Sequence, residues 1–201
     1  MVCLLLVAQA TSAQSLLNDA WSQVDHAKSI SVTVERGTEE FPPNTSTKFY
    51  WKAGGYFRAE SKATVDVSSP QHGWTYSISK KIYQSRKPVP SDMTLSKVIG
   101  VDMFHAGLPV IGEPAPAVWH GRHTLRIELN GKKAVTKETK LFVFLDAKSH
   151  LPVGVSANLG SMTQLRIYTD LTIDPQIPDD VFNFKPPSSW KEVTPTTGGW
   201  N

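Results

Sequence analysis

Lys140–Pro187, KLFVFLDAKSHLPVGVSANLGSMTQLRIYTDLTIDPQIPDDVFNFKPP, decides the fold, because it divides into three strands, two tight turns and a proline-bounded close. Leu141–Leu145 is an unbroken run of aliphatic and aromatic side chains, which a strand carries when both of its faces are covered. It is therefore expected at the centre of a sheet. Asp146–His150 supplies turn residues. Beyond it Val153, Val155, Ala157 and Leu159 alternate with Gly154, Ser156 and Asn158, the period of two of a half-buried strand. After a turn at Asn158–Ser161, Leu165, Ile167, Leu171 and Ile173 are expected on one face of a returning strand, with Gln164, Arg166, Asp170 and Thr172 on the other. Asp174–Pro187 holds Pro175 and Pro178 near its start and Pro186 and Pro187 at its end. Proline cannot donate to a ladder, so this segment belongs at a sheet edge or outside the sheet.

Upstream, Leu16, Leu17, Ala20, Trp21 and Val24 follow helical spacing and predict an amphipathic helix ending near His26. Ile30, Val32 and Val34 alternate with polar residues as a first strand, and Thr47, Phe49 and Trp51 form the dry face of a second. Gly54-Gly55 reads as a two-residue hairpin turn. Tyr56–Glu60, Ala63–Val67, Trp74–Ile78 and Ile82–Arg86 continue the meander, broken by Ser69–Gly73 and Lys80-Lys81. Ser91 is a candidate N-cap for a second helix carrying Leu95, Val98, Ile99 and Met103 on one face. Gly107–Pro116 reads as a connection. It leads to a strand with His123, Leu125, Ile127 and Leu129 on one side and Arg122, Thr124, Arg126 and Glu128 on the other. Asn130-Gly131 carries the strongest hairpin signal of the chain.

A chain of 201 residues is most simply one domain. Its 40% hydrophobic content, with 13 Gly and 14 Pro, describes a turn-rich globular protein. The net charge of +3 is dispersed over isolated pairs such as Lys80-Lys81 and Lys132-Lys133, and no basic stripe points to nucleic acid. Residues 1–13, MVCLLLVAQATSA, have the apolar core and small-residue close of a secretory signal, without its basic start. Cys3 lies within that segment, so a chain cleaved there carries no thiol and no disulfide. The reading is a signal at 1–13, one domain over 14–193 and a loose tail at 194–201.

A first helix, a long antiparallel meander, an inserted helix and more meander need one dry sheet face covered by two helices. The expected class is α+β, a curled sheet wrapping two or more short helices. The order of elements resembles the LolA-like outer-membrane lipoprotein carrier superfamily from about Leu16 to Val193. The ending Phe182-Asn183-Phe184-Lys185-Pro186-Pro187 is similar to the family's Phe-x-Phe-x-Pro-Pro. Tyr56-Phe57-Arg58 is similar to its Arg-Pro-Asn-x-Phe segment, with Ala53 and Gly54 where the carriers have the lid-latching arginine and the proline. Gly73-Trp74-Thr75-Tyr76 looks like its aromatic hairpin. The resemblance implies an incomplete barrel with helices in its mouth, no enzymatic activity, and a lipid or acylated lipoprotein as partner in the periplasm. It also implies, as an alternative, a sensor module that contacts a membrane-bound envelope protein.

Few residues fall in a pattern that carries chemistry. His120 and His123 stand three apart and face opposite sides of a strand, so they do not share a metal without a bulge. No nucleophile elbow, phosphate loop or zinc-binding helix occurs, and Asp179-Asp180 after Pro178 reads as turn chemistry. No catalytic residue, metal or cofactor is assigned. What remains is apolar surface: Phe49, Trp51, Phe57, Trp74, Tyr76, Leu125, Ile127, Leu141, Val143, Leu165 and Ile167 on the sheet, facing Trp21, Val98 and Met103 on the helices. These residues either pack as an ordinary core or line a cavity for acyl chains, where each buried methylene contributes about 0.8 kcal/mol.

Overall fold

A computed structural model describes residues 12–94, 108–131, 139–183 and 185–194. Helix α1 (Ala13–Asp25) starts where the Ser12 hydroxyl accepts the Ser15 N–H at 3.2 Å. It buries the expected stripe of Leu16, Leu17, Ala20, Trp21 and Val24. The strands are β1 (Ser29–Thr38), β2 (Thr45–Lys52), β3 (Tyr56–Ser61), β4 (Thr64–Ser68), β5 (Gly73–Ser77), β6 (Ile82–Arg86), β7 (Val110–Trp119), β8 (Arg122–Leu129), β9 (Lys140–Asp146), β10 (Pro152–Asn158), β11 (Thr163–Ile173) and β12 (Lys191–Glu192). They form one sheet in the order β12-β6-β5-β4-β3-β2-β1-β11-β10-β9-β8-β7. Only the short β12 runs parallel to its neighbour β6.

The sheet is two meanders joined where β1 pairs with β11, so the first strand of the chain lies against its last long one. Strand β9 is interior to the sheet, flanked by β8 and β10, but third from the β7 edge rather than at the centre as expected. The described residues are mostly β with one helix; the second expected helix, at Leu95–Met103, lies outside them. Gly107–Pro116 is not simply a connection. From Val110 it is strand β7, at the sheet edge, and its register with β8 shifts between Ile111 and Ala115. That is where Pro114 and Pro116 are tolerated, since an edge strand leaves one row of N–H groups unused. The turn after β2 takes three residues, Ala53–Gly55, with Gly54 and Gly55 at φ 93° and 90°. Asn130-Gly131 opens a longer connection rather than closing a two-residue turn, because β9 begins only at Lys140. A two-residue hairpin occurs at His120-Gly121, both at positive φ.

One irregularity reorganises the core. Ser31 pairs with Thr172 but Thr33 pairs with Thr169, so Asp170 and Leu171 both stand opposite Val32. This is a β-bulge, with Asp170 at φ 54°. The inserted residue reverses the alternation of β11. Leu171 and Ile173 pack against the core under α1, as does Tyr168, whereas Leu165 and Ile167 lie outside that cluster on the other face. The four residues expected to share a face are split two and two.

Candidate functional site

Register fixes which side chains share a face. On the side that carries α1, one row crosses from Ile127 through Val143, Val155 and Arg166 to Arg36. A neighbouring row crosses from Leu129 through Leu141 and Ala157 to Gln164 and Thr38. In the other meander Ile30, Trp51 and Phe57 form one row and Val32, Phe49 and Ala59 the next. All the apolar members pack with Leu16, Leu17, Trp21 and Val24 into one cluster. Phe49 and Phe57 meet at a ring distance of 6.1 Å.

The apolar surface stops at β3. The row Ile30–Trp51–Phe57 continues as Ser68, Gly73 and Arg86, and the row Val32–Phe49–Ala59 continues as Asp66, Thr75 and Gln84. Here polar groups pair with one another, as buried polar groups usually do, except that the buried Arg86 Nε makes no hydrogen bond among the described residues. The Thr75 hydroxyl donates to Asp66 at 2.5 Å, Ser68 Oγ accepts the Val89 N–H at 2.7 Å, and Arg86 lies 3.9 Å from Asp66. Burial lowers the Arg86 pKa, and the Asp66 charge opposes that shift.

Trp74 and Tyr76 were expected beside Phe57, but the register turns them to the opposite face with Val65 and Val67. Tyr83 and Trp190 complete this second cluster, 5.9 Å and 6.3 Å from Tyr76. Burial, and then Tyr83, push the Tyr76 phenol up to about 12. The C-terminal segment crosses the same face. Lys52 pairs with Asp179 at 2.6 Å, Arg58 donates to the Val181 carbonyl at 3.2 Å, and the Phe182 ring packs 5.5 Å from Tyr56. Asp179–Phe182 is a short 3-10 turn, which is the turn chemistry expected of Asp179-Asp180. On the far wing of this face, Trp119 stacks on Phe144 at 4.2 Å, above Gly154. Gly154 in turn pairs with Ile167.

Of the residues singled out in the sequence, Trp21, Phe49, Trp51, Phe57, Ile127 and Val143 thus meet in one cluster, with Leu125 at its margin. Trp74, Tyr76, Leu165 and Ile167 stand on the other face, and Val98 and Met103 lie outside the described residues. Tyr168 and Arg36 carried no expectation from the sequence, and Arg166 was expected only on the polar face of its strand. The signal was Tyr168 itself: a helix-facing aromatic out of phase with Leu165 and Ile167 requires an inserted residue before Leu171. Among the described residues there is no group of three metal-capable side chains, and no helix long and apolar enough to cross a membrane.

No protein-family model matches the chain, and no curated protein matches it. Solved structures do. An uncharacterized conserved protein from Thermus thermophilus superposes with a TM-score of 0.55 at 10% identity, over 91% of this chain and 99% of the other, so the two share a fold. The lipoprotein LppX of Mycobacterium tuberculosis matches with a TM-score of 0.43 at 14% identity, over 83% and 99% of the two chains. A LolA superfamily protein from Nitrosomonas europaea matches with a TM-score of 0.33 at 10% identity, over 86% and 98%. The structural neighbours thus include LolA-superfamily and LppX-like folds at low sequence identity.

Proposed function

We propose that this chain is an exported, non-enzymatic protein of the cell envelope that binds the acyl chains of a lipid or lipoprotein between α1 and the sheet. The observation that carries the reading is a mismatch of areas. The apolar face runs across β8, β9, β10, β11, β1, β2 and β3, a width of about 29 Å at ~4.8 Å per strand. Helix α1 has 13 residues, which makes it about 20 Å long and about 10 Å across. Among the described residues α1 is the one helix on this face, whose apolar side chains are buried with Val89, Leu108 and Val110 packed beside them; a long flexible apolar guest lodged between helix and sheet would gain about 0.8 kcal/mol for each methylene taken from water. The polar rows of β4–β6 would bound the guest on one side. Lipoprotein names among the structural neighbours agree with this reading, as does the signal-like residues 1–13.

The test is native mass spectrometry of protein purified without detergent, before and after lipid extraction. Added mass that extraction removes is expected. Phe57→Glu, on the helix-bearing face, should lose it, while Trp74→Leu, on the opposite face, should keep it, both checked for folding by circular dichroism. An apo mass that stays unchanged after incubation with phospholipid and acylated peptide would refute the proposal.

A further inference from the structure

Arg36 and Arg166 stand directly opposite each other across β1 and β11, on the helix-bearing face. Like charges in that position repel, yet no carboxylate forms an ion pair with Arg36 among the described residues. Burial lowers the Arg36 pKa first, and the charge of Arg166 lowers it further. Both arginines line a cleft of about 330 Å³, whose wall also holds Thr38, Asn44, Phe41 and Met162. Phe41, between β1 and β2, is 66% exposed, and Met162, between β10 and β11, is 45% exposed. In the adjoining row, Tyr168 pairs with Val34, and its buried hydroxyl has no hydrogen-bond partner.

We propose that this cleft binds a phosphate group, held between the two guanidinium groups. A single carboxylate engages one planar fork; a phosphate presents oxygens to two, and bound there it turns a repulsive pair into an attractive triad. Thr38 and Asn44 add neutral hydrogen-bonding groups. Phe41 and Met162 place exposed apolar surface beside the charge, the pattern of a site for an anionic amphiphile. The cleft continues the row Ile127–Val143–Val155, so a phosphate at the arginines would leave an attached acyl chain on the apolar face. That last step rests on the acyl-binding reading above; the arginine site does not.

The experiment is thermal unfolding of the full chain in inorganic phosphate against chloride at matched ionic strength. Phosphate should raise the wild-type midpoint. In Arg36→Gln and Arg166→Gln the apparent phosphate affinity should fall about tenfold, the loss of one charge-assisted partner. Arg36→Lys should retain part of it. Arg126→Gln, whose guanidinium lies over Phe142 on the other face, should behave as wild type. A second arm compares lysophosphatidylglycerol below its micellar concentration with glycerol phosphate. Tighter binding of the lipid, lost in Phe41→Ser, identifies a headgroup source; equal binding identifies free phosphate. No phosphate shift in the wild type, or the same shift in both glutamine variants, overturns the proposal. Phosphate binding without acyl loading in the mass spectrometer would reject the acyl reading and leave this site standing. Acyl loading without phosphate dependence would do the reverse.

Discussion

Replacing Tyr168 by Phe should stabilise the protein. The side chain is 2% exposed, and its ring packs in the core beside Val34. Its hydroxyl has no partner, and burial raises the phenol pKa against the pull of Arg166 and Arg36. Leaving a buried hydroxyl unpaired costs about 1–3 kcal/mol relative to keeping it in water. Phenylalanine keeps the ring and removes the penalty, at the expense of a void about one atom in size, which takes back part of the gain. The net expectation is about 1 kcal/mol of added stability. For a chain of this size that raises Tm by roughly 2–4 °C. Urea unfolding, followed by circular dichroism, should show a higher midpoint at unchanged m. A loss of stability of about 1 kcal/mol would mean that the hydroxyl is hydrogen-bonded in solution, and would refute both the orphaned group and the packing argument built on it.

Three other perturbations test the faces and their turns. Gly154→Ala places a Cβ against the Trp119 ring and 2.5 Å from the Arg166 carbonyl, so urea unfolding should show a loss of about 1–3 kcal/mol. A double-mutant cycle with Trp119→Leu should recover only the ring's share of that loss. Asp146 accepts the Ser149 and Lys148 N–H groups at 2.9 and 3.1 Å and the Ser149 hydroxyl at 3.0 Å, with Arg122 at 3.5 Å. The Ser149 N–H leads in holding its pKa below the usual carboxylate value of 3.8, against the opposing effect of burial. Its stabilising contribution is therefore complete above that value and drains away as the pH falls toward the lower folded pKa. Asp146→Asn should flatten this part of the acid limb in a Tm-against-pH series. Tyr76, raised to about 12 from 10.0, is neutral in the fold at pH values where the unfolded chain ionises. It therefore destabilises the fold between about 10 and 12, and Tyr76→Phe should lessen the alkaline fall in Tm over that range, read alongside phenolate absorbance.

The meander was legible in the sequence because period-two patterning survives wherever one strand face is wet. The helix stripe at Leu16–Val24 follows from helical spacing, the interior strand β9 from its unbroken apolar run, and the hairpins around Lys80-Lys81 and Asn158–Ser161 from alternation and turn chemistry. Edge strand β7 was hidden by Pro114 and Pro116, which a strand tolerates only at an edge, and edge position is a property of the whole sheet. Alternation also does not say which face of one strand matches which face of another. That assignment passes through every register between them. Phe57 and Trp74 both sit in dry-faced strands, yet Phe57 pairs with Ser68 while Trp74 pairs with Val67, so adjacent residues on β4 send the two aromatics to opposite sides.

A dry second face changes what the C-terminal segment is for. Val65, Val67, Trp74, Tyr76 and Tyr83 form apolar surface on the side away from α1, and a sheet with two apolar faces needs two covers. The helix-bearing side has α1. The other has Trp190, with Asp179, Val181 and Phe182 held at β2 and β3 by Lys52, Arg58 and Tyr56. The proline-bounded ending therefore works as a strap: its prolines keep it out of the ladder, so that it crosses strands instead of extending the sheet until β12 aligns beside β6. The sheet thus has a second, smaller core behind β4–β6 beside the main one under α1. A guest bound between α1 and the sheet, as proposed above, would require α1 to shift, and the strap on the far side would hold β2, β3, β5 and β6 in place while it did.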